Sequence, residues 1–530
     1  MSTNTLANTL VSYDELPYES MPQPDRHPDY LRAIARLYGV NAAPTESCRI
    51  LELGCAGGGN ILPLAWYQPN CTVVGVELGQ QHVREANALI AELGLHNAQV
   101  LHRSITDAMD DLGEFDYILA HGVFSWVPRA VQDRLLAICG QHLAPNGIAY
   151  VSYNTLPGWH LRGLLRAAML TYCDAGSATQ RLAQAYALFD LMEPALRTQT
   201  SPEAQFALQE ITYLRSAPAS YVYHEYLEET NDPLTFTDFM ARANHAGLSY
   251  LADTELWTMY PSTMGEAGAA FEAITDRIQQ EQLMDFARLR KFRRTLLIRQ
   301  DEHSHPDEHS QPDEHSQPDT PLRTAPDLLA LQKLAYYADL SMEEEIDLSA
   351  PVPQTFSSAS GHPYTVTHPL TKAGLMLLAL HYPASVSWDA LQTGAADLVT
   401  QHGGGTYAGD SAILRTELFS LIAYQDVYPS LASIPVLETL PERPCAHRLA
   451  RAQAARGHVV ASIRHSAVEL DPLGRELLLH LDGTRTLPEL AVLMTAAIHA
   501  QGQAVPDEET LRNTCAQMLW TFARQGLLET

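Results

Sequence analysis

Short apolar runs that alternate with amphipathic stretches are the feature that most constrains the fold of this chain. Five such runs occur, at 48–55 (CRILELGC), 71–78 (CTVVGVEL), 98–105 (AQVLHRSI), 115–124 (FDYILAHGVF) and 147–154 (GIAYVSYN). Runs of this kind, with helical stretches between them, predict an α/β fold whose parallel strands are covered by helices on both faces. Right-handed crossovers then bring together the loops at the carboxyl ends of the strands, where α/β sheets bind ligands.

Two later runs extend the predicted sheet. The stretches 248–257 (LSYLADTELW) and 291–300 (KFRRTLLIRQ) have the composition of strands, and we expect both to complete the same sheet. The segment at about 161–235 has helical periodicity instead, and Ser201-Pro202 is a plausible helix start. The pattern therefore predicts one large domain over residues 1–300, with a helical insertion above its ligand-binding edge.

Residues 301–320 differ from the rest of the chain in composition. They repeat a six-residue unit as DEHSHP, DEHSQP and DEHSQP, which is acidic, rich in proline and free of large apolar side chains. A segment of this composition cannot bury a core, so we interpret it as a flexible linker. The alternative is a metal-capturing segment that uses His303, His305, His309 and His315, but ordering a mobile chain around an ion costs about 1–2 kcal/mol per residue.

Two smaller domains are expected after the linker. Residues 321–440 mix helical stretches with short strands and predict a middle accessory domain. Residues 441–530 predict an α+β domain of the winged-helix type, because 473–494 (LGRELLLHLDGTRTLPELAVLM) has the pattern of a helix, a turn and a helix. Asp482-Gly483 makes the turn, and Thr486 and Glu489 have capping-box spacing. A unit of this kind is compatible with DNA binding and with binding to another protein.

Composition limits the partners of the chain. Asp and Glu outnumber Lys and Arg by 62 to 34, so the net charge is −28 and the protein repels phosphate backbones. No apolar run approaches the roughly 18 residues that span a membrane, and the first residues lack the features of a secretory signal. The seven cysteines form no C-x-x-C pair. We therefore expect a cytoplasmic protein without nucleic-acid partners, membrane insertion, disulfides or a metal site.

The loop after the first strand carries the strongest functional signal. It reads Gly54-Cys55-Ala56-Gly57-Gly58-Gly59, and it follows Glu52, while Glu77 ends the second strand about twenty residues later. Glycines let a ligand lie against bare backbone, and a carboxylate at the second position can hold ribose hydroxyls. A dinucleotide and S-adenosylmethionine both use this layout, but Glu52 would repel a diphosphate and attract a cationic ammonium or sulfonium. The charge favours S-adenosylmethionine, with a dinucleotide as the alternative.

Several longer strings resemble one family. YDELPY, LELGCAGGGNILPLA, AHGVFSWVP and YVSYNTLPGW resemble bacterial protein lysine methyltransferases of the rickettsial outer-membrane-protein type, at 13–18, 51–65, 120–128 and 150–159. The stretch 224–256 is similar to the methyltransferase regulatory domain of that family, and 478–490 to its C-terminal module. The resemblance implies a class I methyltransferase fold, which is Rossmann-like, with S-adenosylmethionine as methyl donor. It also implies methylation of lysines on outer-membrane or surface proteins before export.

The resemblance also assigns residues to the cofactor. Glu52 and the backbone of Gly54 to Gly58 would hold the methionine portion, Glu77 the ribose, and Ser104 and Ile105 the adenine. Class I methyltransferases usually have an acidic residue at the position of Ser104, so the contact of this serine with the adenine carries no charge. A lid from the N-terminal segment would bring Tyr13 and Tyr18 over the cofactor. The predicted cofactor-binding residues are Tyr18, Glu52, Gly54, Cys55, Gly58, Asn60, Glu77, Leu78, Ser104, Ile105, His121 and Gly122.

An amine acceptor needs a pocket that removes its proton and tolerates its cationic product. Aromatic walls lower the pKa of an amine by desolvation, and their ring faces accommodate cations. Aromatic residues are dense near the predicted site, with Phe124 and Trp126 among them, and His224 and Glu225 are candidate proton acceptors together with His121. The predicted catalytic and acceptor-pocket residues are His121, Tyr153, Trp159, Tyr221 and Tyr223. Burial in an ordinary core would explain the same aromatics.

The sequence is compatible with two other functions. A small-molecule N- or O-methyltransferase would share the cofactor motifs, and a non-enzymatic regulator could retain the pocket. The two C-terminal domains favour a protein substrate, because a metabolite needs no docking surface. Deleting 321–530 is then expected to spare small-molecule turnover and to abolish protein methylation.

Overall fold

A computed structural model describes residues 15–16, 20–173, 176–300, 323–342, 345–358, 361–500 and 504–530 of the chain. Seven strands form its largest sheet, and in chain order they are β1 (Arg49–Leu53), β2 (Thr72–Glu77), β3 (Ala98–His102), β4 (Phe115–Ala120), β5 (Leu143–Asn154), β6 (Leu248–Asp253) and β7 (Phe292–Arg299). Their order across the sheet is β3-β2-β1-β4-β5-β7-β6. Strands β1 to β5 are parallel, whereas β7 is antiparallel to β5 and to β6. The predicted α/β sheet is confirmed, including its two late strands.

Helices cover both faces of this sheet. Those of the first 300 residues are α1 (Pro28–Leu37), α2 (Ile61–Tyr67), α3 (Gln80–Leu93), α4 (Arg129–His142), α5 (Leu156–Tyr172), α6 (Ala178–Arg197), α7 (Pro202–Ser216), α8 (Ala219–Tyr226), α9 (Phe236–His245), α10 (Gly268–Glu272) and α11 (Arg277–Arg288). The strands of the sheet centre are apolar and buried almost throughout, as parallel strands between two helical layers must be. Helix α3 ends at Gly94, whose left-handed backbone (φ +70°) is typical of a helix stop.

The inserted helices α5 to α8 pack on one another around a small apolar core of their own. The insertion leaves the sheet at the end of β5 and returns beside the same point. Leu234 donates its backbone N–H to the Asn154 carbonyl (3.0 Å), and Leu156 donates to the Leu234 carbonyl (3.0 Å). The insertion therefore lies at the carboxyl edge of the sheet, where the sequence predicts it. The Ser201 hydroxyl accepts from the Ala204 amide (3.2 Å), which confirms the predicted helix start.

The middle region combines short strands and helices, as predicted. Its elements are β8 (Ala335–Tyr337), β9 (Leu340–Met342), β10 (Gln354–Ser358), β11 (Pro363–Val366), α12 (Pro369–His381), β12 (Val386–Ser387), α13 (Trp388–Gln401), α14 (Ser411–Ala423) and β13 (Tyr428–Ser430). Its buried apolar side chains, from Ala330 to Val427, belong to the same continuous cluster as those of the large sheet. The middle region is thus joined to the sheet through shared core, although the sequence predicts an accessory domain.

The C-terminal region has its own apolar core, which draws on residues from Ala446 to Leu528. Its elements are α15 (Arg448–Arg456), β14 (Val459–Ala461), β15 (Ala467–Glu469), α16 (Pro472–Leu479), α17 (Leu487–Ala500) and α18 (Glu508–Arg524). Strands β14 and β15 form an antiparallel hairpin. The predicted turn is present, with Gly483 at φ +78°, and Glu489 accepts hydrogen bonds from the backbone and hydroxyl of Thr486 (2.7 and 2.9 Å).

The flexible linker predicted for 301–320, with its metal-binding alternative, lies outside the described residues. Over the part of the chain that the structure describes, no helix is both long and apolar enough to cross a membrane.

Candidate functional site

The glycine loop joins β1 to α2 in a conformation that side chains would not permit. Gly54 has φ +75°, and a Cβ added there would lie 2.5 Å from Cγ2 of Val123. A Cβ at Gly59 would lie 1.7 Å from the backbone oxygen of Ser20. The loop therefore needs bare backbone at these positions, as the sequence indicates. Cys55 is buried within the loop, and burial raises the pKa of its thiol well above the usual value, so the thiol is not a nucleophile. Its predicted contact with the cofactor stays a prediction.

Glu52 lies near the carboxyl end of the central strand β1, and its side chain is buried (4% exposed). One carboxylate oxygen, Oε1, accepts a hydrogen bond from Nδ2 of Asn60 (3.1 Å). The other, Oε2, is buried and has no hydrogen-bond partner among the described residues. Burial raises the pKa of Glu52 to about 7, although Arg26 and Asn60 oppose this. A buried carboxylate oxygen without a partner is unfavourable by itself, and a cationic ligand would satisfy it.

Glu77 ends the neighbouring strand β2 and closes the loop from the other side. Its two oxygens accept hydrogen bonds from the backbone N–H groups of Ala56 (2.9 Å) and Gly79 (2.7 Å). Burial alone would raise the pKa of Glu77, but the His82 side chain and these two N–H groups outweigh it and lower the pKa below its usual value. Each ionised oxygen keeps a further lone pair, so the carboxylate can also accept from two ribose hydroxyls.

These two carboxylates fit S-adenosylmethionine better than a dinucleotide. The unpartnered oxygen of Glu52 matches the ammonium and sulfonium charges of that cofactor, while a diphosphate at the same place would meet a negative charge. The ionised Glu77 stands where ribose hydroxyls are held in this type of sheet. Glu52, Asn60 and Glu77 are therefore the side chains that would hold the cofactor.

The residues predicted beside the adenine form the end of β2 and the turn after β3. Leu78 is half-buried, and its carbonyl contacts Nε2 of His102 (3.0 Å). Ile105 is buried. Ser104 donates its backbone N–H to Oδ2 of Asp107 (2.8 Å), so a carboxylate missed by the sequence analysis lies next to the serine. The signal for it was an aspartate three residues after Ser104 in a predicted turn.

His121 and Gly122 follow β4 at the same edge of the sheet. His121 Nδ1 lies 2.9 Å from the Tyr150 hydroxyl, and its ring meets the edge of Phe292 (5.9 Å between centroids). Burial, together with the charges of Arg26 and Arg294, holds the pKa of His121 well below its usual value, so the imidazole is neutral. Gly122 is exposed, and its N–H donates to the Ser152 hydroxyl (2.9 Å). A neutral His121 of low pKa is a weak proton acceptor.

The described residues of the N-terminal segment contact the insertion and the glycine loop. Glu15 accepts a hydrogen bond from the Ala178 amide at the start of α6 (2.5 Å), and the Leu16 carbonyl lies 2.6 Å from Nε2 of His224 in α8. Ser20 then lies against Gly59 in the glycine loop. The segment thus contacts both the insertion and the loop. Tyr13 and Tyr18, the predicted lid residues, lie outside the described residues, so their role stays a prediction.

The predicted acceptor-pocket aromatics fall in three different places. Tyr153 is buried in the sheet, stacked on Phe239 (4.0 Å) with its hydroxyl 3.1 Å from that of Thr295, so it packs as a core residue. Tyr221 and Tyr223 lie on different sides of α8, because residues two apart on a helix do not share a face. The Tyr221 hydroxyl accepts from Arg162 (3.1 Å) and that of Tyr223 from Arg181 (3.0 Å). Arg162 also lies over the Trp159 ring, so Tyr221 and Trp159 share a neighbour, whereas Tyr153 and Tyr223 contact other residues. A common acceptor pocket for the five predicted residues stays a prediction.

A row of aromatic rings does connect the sheet edge to the insertion. Trp126, just after β4, meets Trp159 of α5 edge to face (6.2 Å), and Trp159 in turn meets Tyr226 of α8 (5.9 Å). The Arg162 guanidinium lies over the Trp159 ring (5.7 Å). Trp159 and Tyr226 are buried (4% and 0% exposed), whereas Trp126 is half-buried. Roles in catalysis stay predictions for all of them.

Two groups of α8 were expected to accept protons. His224 contacts Oε1 of Glu228 through Nδ1 (3.0 Å) and the Leu16 carbonyl through Nε2, so both ring nitrogens are engaged. Glu225 is half-buried, and burial raises its pKa to about 7 although Arg162, His224 and Arg166 oppose this. A carboxylate with a pKa near neutrality is suited to exchange protons at neutral pH. Of the two, Glu225 keeps the properties that a general base needs, and its role in catalysis stays a prediction.

Three family descriptions match the chain. Residues 51–149 match a methyltransferase domain, residues 218–299 a predicted methyltransferase regulatory domain, and residues 442–527 the C-terminal winged-helix domain of PKMT. The regulatory match covers the end of the insertion and strands β6 and β7. The match contains the stretch 224–256, so its predicted similarity to the regulatory domain is confirmed, and it extends beyond the helical insertion predicted for about 161–235.

Two curated relatives are similar in sequence to large parts of the chain. An uncharacterized protein of Rickettsia prowazekii is 42% identical over 291 residues, which are 54% of this chain and 53% of that protein. The match thus spans about half the length of this relative. A second uncharacterized protein of that organism is 36% identical over 234 residues, 44% of this chain and 94% of its own length.

The structure of PKMT2 from Rickettsia typhi superposes with a TM-score of 0.83 at 27% identity and covers 96% of this chain and 100% of its own. The same protein in complex with AdoHcy gives a TM-score of 0.82 and covers 97% of this chain and 100% of its own. This agreement extends over the sheet, the insertion and both C-terminal regions. The chain therefore belongs to the class I methyltransferase family whose members combine a methyltransferase domain, a regulatory domain and a PKMT-type winged-helix domain.

Proposed function

We propose that this protein is an S-adenosylmethionine-dependent methyltransferase that methylates lysine side chains of a protein. The observation that carries the proposal is the buried, unpartnered Oε2 of Glu52 beside a loop of bare backbone. The complex of R. typhi PKMT2 with AdoHcy supports the cofactor, and the abbreviation PKMT, for protein lysine methyltransferase, supports the acceptor.

When bound, S-adenosylmethionine supplies a methyl group on a positively charged sulfur that an amine lone pair can attack in line. Glu52 and Asn60 would hold the amino-acid end of the cofactor, and Glu77 its ribose. These contacts would aim the reacting end toward the carboxyl ends of β4 and β5. Alignment of this kind, rather than bond-making by the protein, is the main contribution of the chain to such a transfer.

A lysine ammonium must lose a proton before it can react. The aromatic row of Trp126, Trp159 and Tyr226 would lower the pKa of the amine by desolvation and accommodate the cationic product. The carboxylate of Glu225 would take the proton, because its pKa of about 7 lets it exist in both forms near neutrality. His121 is less suited to this task, since its pKa is held low.

The net charge of the chain and its family resemblance support a proposal for the class of acceptor protein. A net charge of −28 suits a basic, lysine-bearing segment and opposes nucleic acid. Our proposal includes an outer-membrane or surface protein as the substrate, methylated before export, and hence a cytoplasmic location for the enzyme.

Methyl transfer to the proteins of the host tests this proposal. The full chain and its Glu52→Gln variant are incubated with labelled S-adenosylmethionine and a lysate of the host, and labelled species are identified by mass spectrometry. We expect methylated lysine in a protein with the wild-type chain and a large loss of label with the variant. Label on a small metabolite would instead establish the small-molecule N- or O-methyltransferase, and absence of label would refute methyl transfer.

A further inference from the structure

One side chain of the C-terminal region, His465, contacts a residue of the cofactor site. His465 lies in the turn between β14 and β15 and is buried (2% exposed), although most buried apolar side chains of its domain form a separate core. Its Nε2 is 2.8 Å from Oδ1 of Asn60, the residue whose Nδ2 donates to Glu52 at 3.1 Å. A continuous hydrogen-bonded chain therefore runs from the hairpin of the winged-helix domain to the carboxylate at the cofactor site.

The direction of these hydrogen bonds follows from the groups involved. Burial, with smaller contributions from His27 and Arg26, holds the pKa of His465 well below its usual value, so the ring is neutral. The amide oxygen of Asn60 can only accept, so the neutral ring must donate from Nε2. The amide nitrogen of Asn60 then faces Glu52 and donates to it. Without His465, the Asn60 oxygen would lose its partner, and the amide could rotate toward an arrangement that opposes the Glu52 charge.

Contacts on several sides hold the His465 turn in place. The Arg464 guanidinium donates to the Pro383 carbonyl (2.7 Å) and lies over the ring of Tyr337 (3.8 Å), both in the middle region. Tyr67 at the end of α2 donates to the Ala461 carbonyl (3.2 Å). The hairpin therefore packs between helix α2 and the middle region.

The His465 ring itself is held as closely as the hairpin. It meets the edge of the His27 ring (5.3 Å), and His27 caps the start of α1 by accepting from the Asp29 amide (3.1 Å). The backbone of His465 is left-handed (φ +58°), a conformation that a non-glycine residue adopts only where its surroundings impose it. The position of the ring is therefore determined by packing from three parts of the chain.

We propose that His465 is a positioning residue of the cofactor site, because it orients Asn60 and so directs Glu52 at the ammonium of the cofactor. The winged-helix domain then completes the cofactor site in addition to any docking of substrate. This inference rests on the proposed function, since it assumes that S-adenosylmethionine binds at Glu52. It adds a residue 405 positions away in the chain, whose effect is confined to the amino-acid end of the ligand.

The test compares two ligands that share a nucleoside and differ at that end. S-adenosylhomocysteine carries the ammonium that would face Glu52, whereas 5′-methylthioadenosine lacks the amino-acid part. Both are titrated calorimetrically into the full chain and into His465→Ala. We expect the dissociation constant for S-adenosylhomocysteine to rise about tenfold, as loss of one buried hydrogen bond implies, and that for 5′-methylthioadenosine to stay unchanged.

Further variants separate positioning from damage to the fold. His465→Gln keeps a donor that can reach Asn60, and we expect it to restore most of the affinity for S-adenosylhomocysteine. His458→Ala removes an exposed histidine from the same domain and is the matched control, with no expected change for either ligand. Asn60→Ala should show the same selective loss, and adding His465→Ala to it should weaken binding no further, because the two residues act in series.

Each outcome decides between the possibilities. A selective loss that His465→Gln repairs supports positioning. Equal weakening of the binding of both ligands would show that His465 only supports the fold. Unchanged binding of S-adenosylhomocysteine would show that Asn60 needs no such partner. Either result overturns the inference and leaves the proposed function intact. A wild-type chain that does not bind S-adenosylhomocysteine would refute the proposed function itself.

Discussion

Cofactor affinity should depend on pH through Glu52, because this buried carboxylate must be ionised to hold a cation. Its pKa in the protein without ligand is about 7, raised by burial. Below that value the residue is mostly protonated, and binding of a cationic ammonium must first release the proton. Affinity should therefore rise as the pH increases toward about 7 and should change little above it.

The size of the effect follows from the ionised fraction. With a pKa of about 7, roughly one Glu52 in eleven is ionised at about pH 6 and roughly ten in eleven at about pH 8, which predicts about tenfold weaker binding at the lower pH. Glu52→Gln removes the charge at every pH. Loss of a hydrogen bond to a charged group costs about 1.5–3 kcal/mol, or about 10- to 150-fold in affinity at high pH.

Calorimetric titration of S-adenosylhomocysteine between about pH 6 and about pH 8 measures both effects. Glu77→Ala is the matched control. The pKa of Glu77 is lowered, so that residue is ionised throughout the range, and its loss should weaken binding by a similar factor at each pH. A wild-type affinity that does not vary with pH, or a Glu52→Gln variant that keeps the variation, would refute this account of Glu52.

Three further predictions test other parts of the site. Gly59→Ala places a Cβ 1.7 Å from the Ser20 backbone oxygen. We expect it to lower the free energy of unfolding by about 1–3 kcal/mol and to speed hydrogen exchange around Ser20. Unchanged exchange would contradict the close contact. Arg293→Met should cost about 3–5 kcal/mol by urea unfolding, because the buried carboxylate of Asp285 loses its two hydrogen bonds (2.7 and 3.0 Å); a loss below about 1 kcal/mol would contradict this. Glu225→Gln should lower the rate of single-turnover methylation about 10²- to 10⁴-fold and leave affinity for S-adenosylhomocysteine unchanged, and a rate within about twofold of wild type would exclude it as the base.

The sheet and the cofactor end of the site could be predicted from the sequence because both depend on local pattern. Apolar runs bounded by glycine predicted the strands, including β6 and β7, which lie more than ninety residues beyond β5. Glu52 and Glu77 could be placed because they end adjacent parallel strands, and such ends meet at one edge of a sheet. Their opposite pKa shifts could not be predicted, since they depend on which backbone N–H groups reach each carboxylate.

Contacts between distant parts of the chain could not be predicted from the local sequence pattern. Nothing near His465 indicates that it meets Asn60, and the aromatic density that suggested an acceptor pocket includes Tyr153, which packs on Phe239 in the core. Residues 321–440 resemble a separate domain in sequence, yet their apolar side chains join the core of the sheet. Deleting 321–530 would therefore expose that core and remove His465, so the truncation would not distinguish a protein acceptor from a small molecule.

A crystal structure of the full chain with S-adenosylhomocysteine would show whether Glu52 holds the ammonium of the ligand. We expect the ammonium within hydrogen-bond distance of Glu52 Oε2, and the ribose hydroxyls on the carboxylate of Glu77. A ligand bound elsewhere, or NAD seated in the glycine loop with its diphosphate beside Glu52 in a parallel soak, would contradict this expectation.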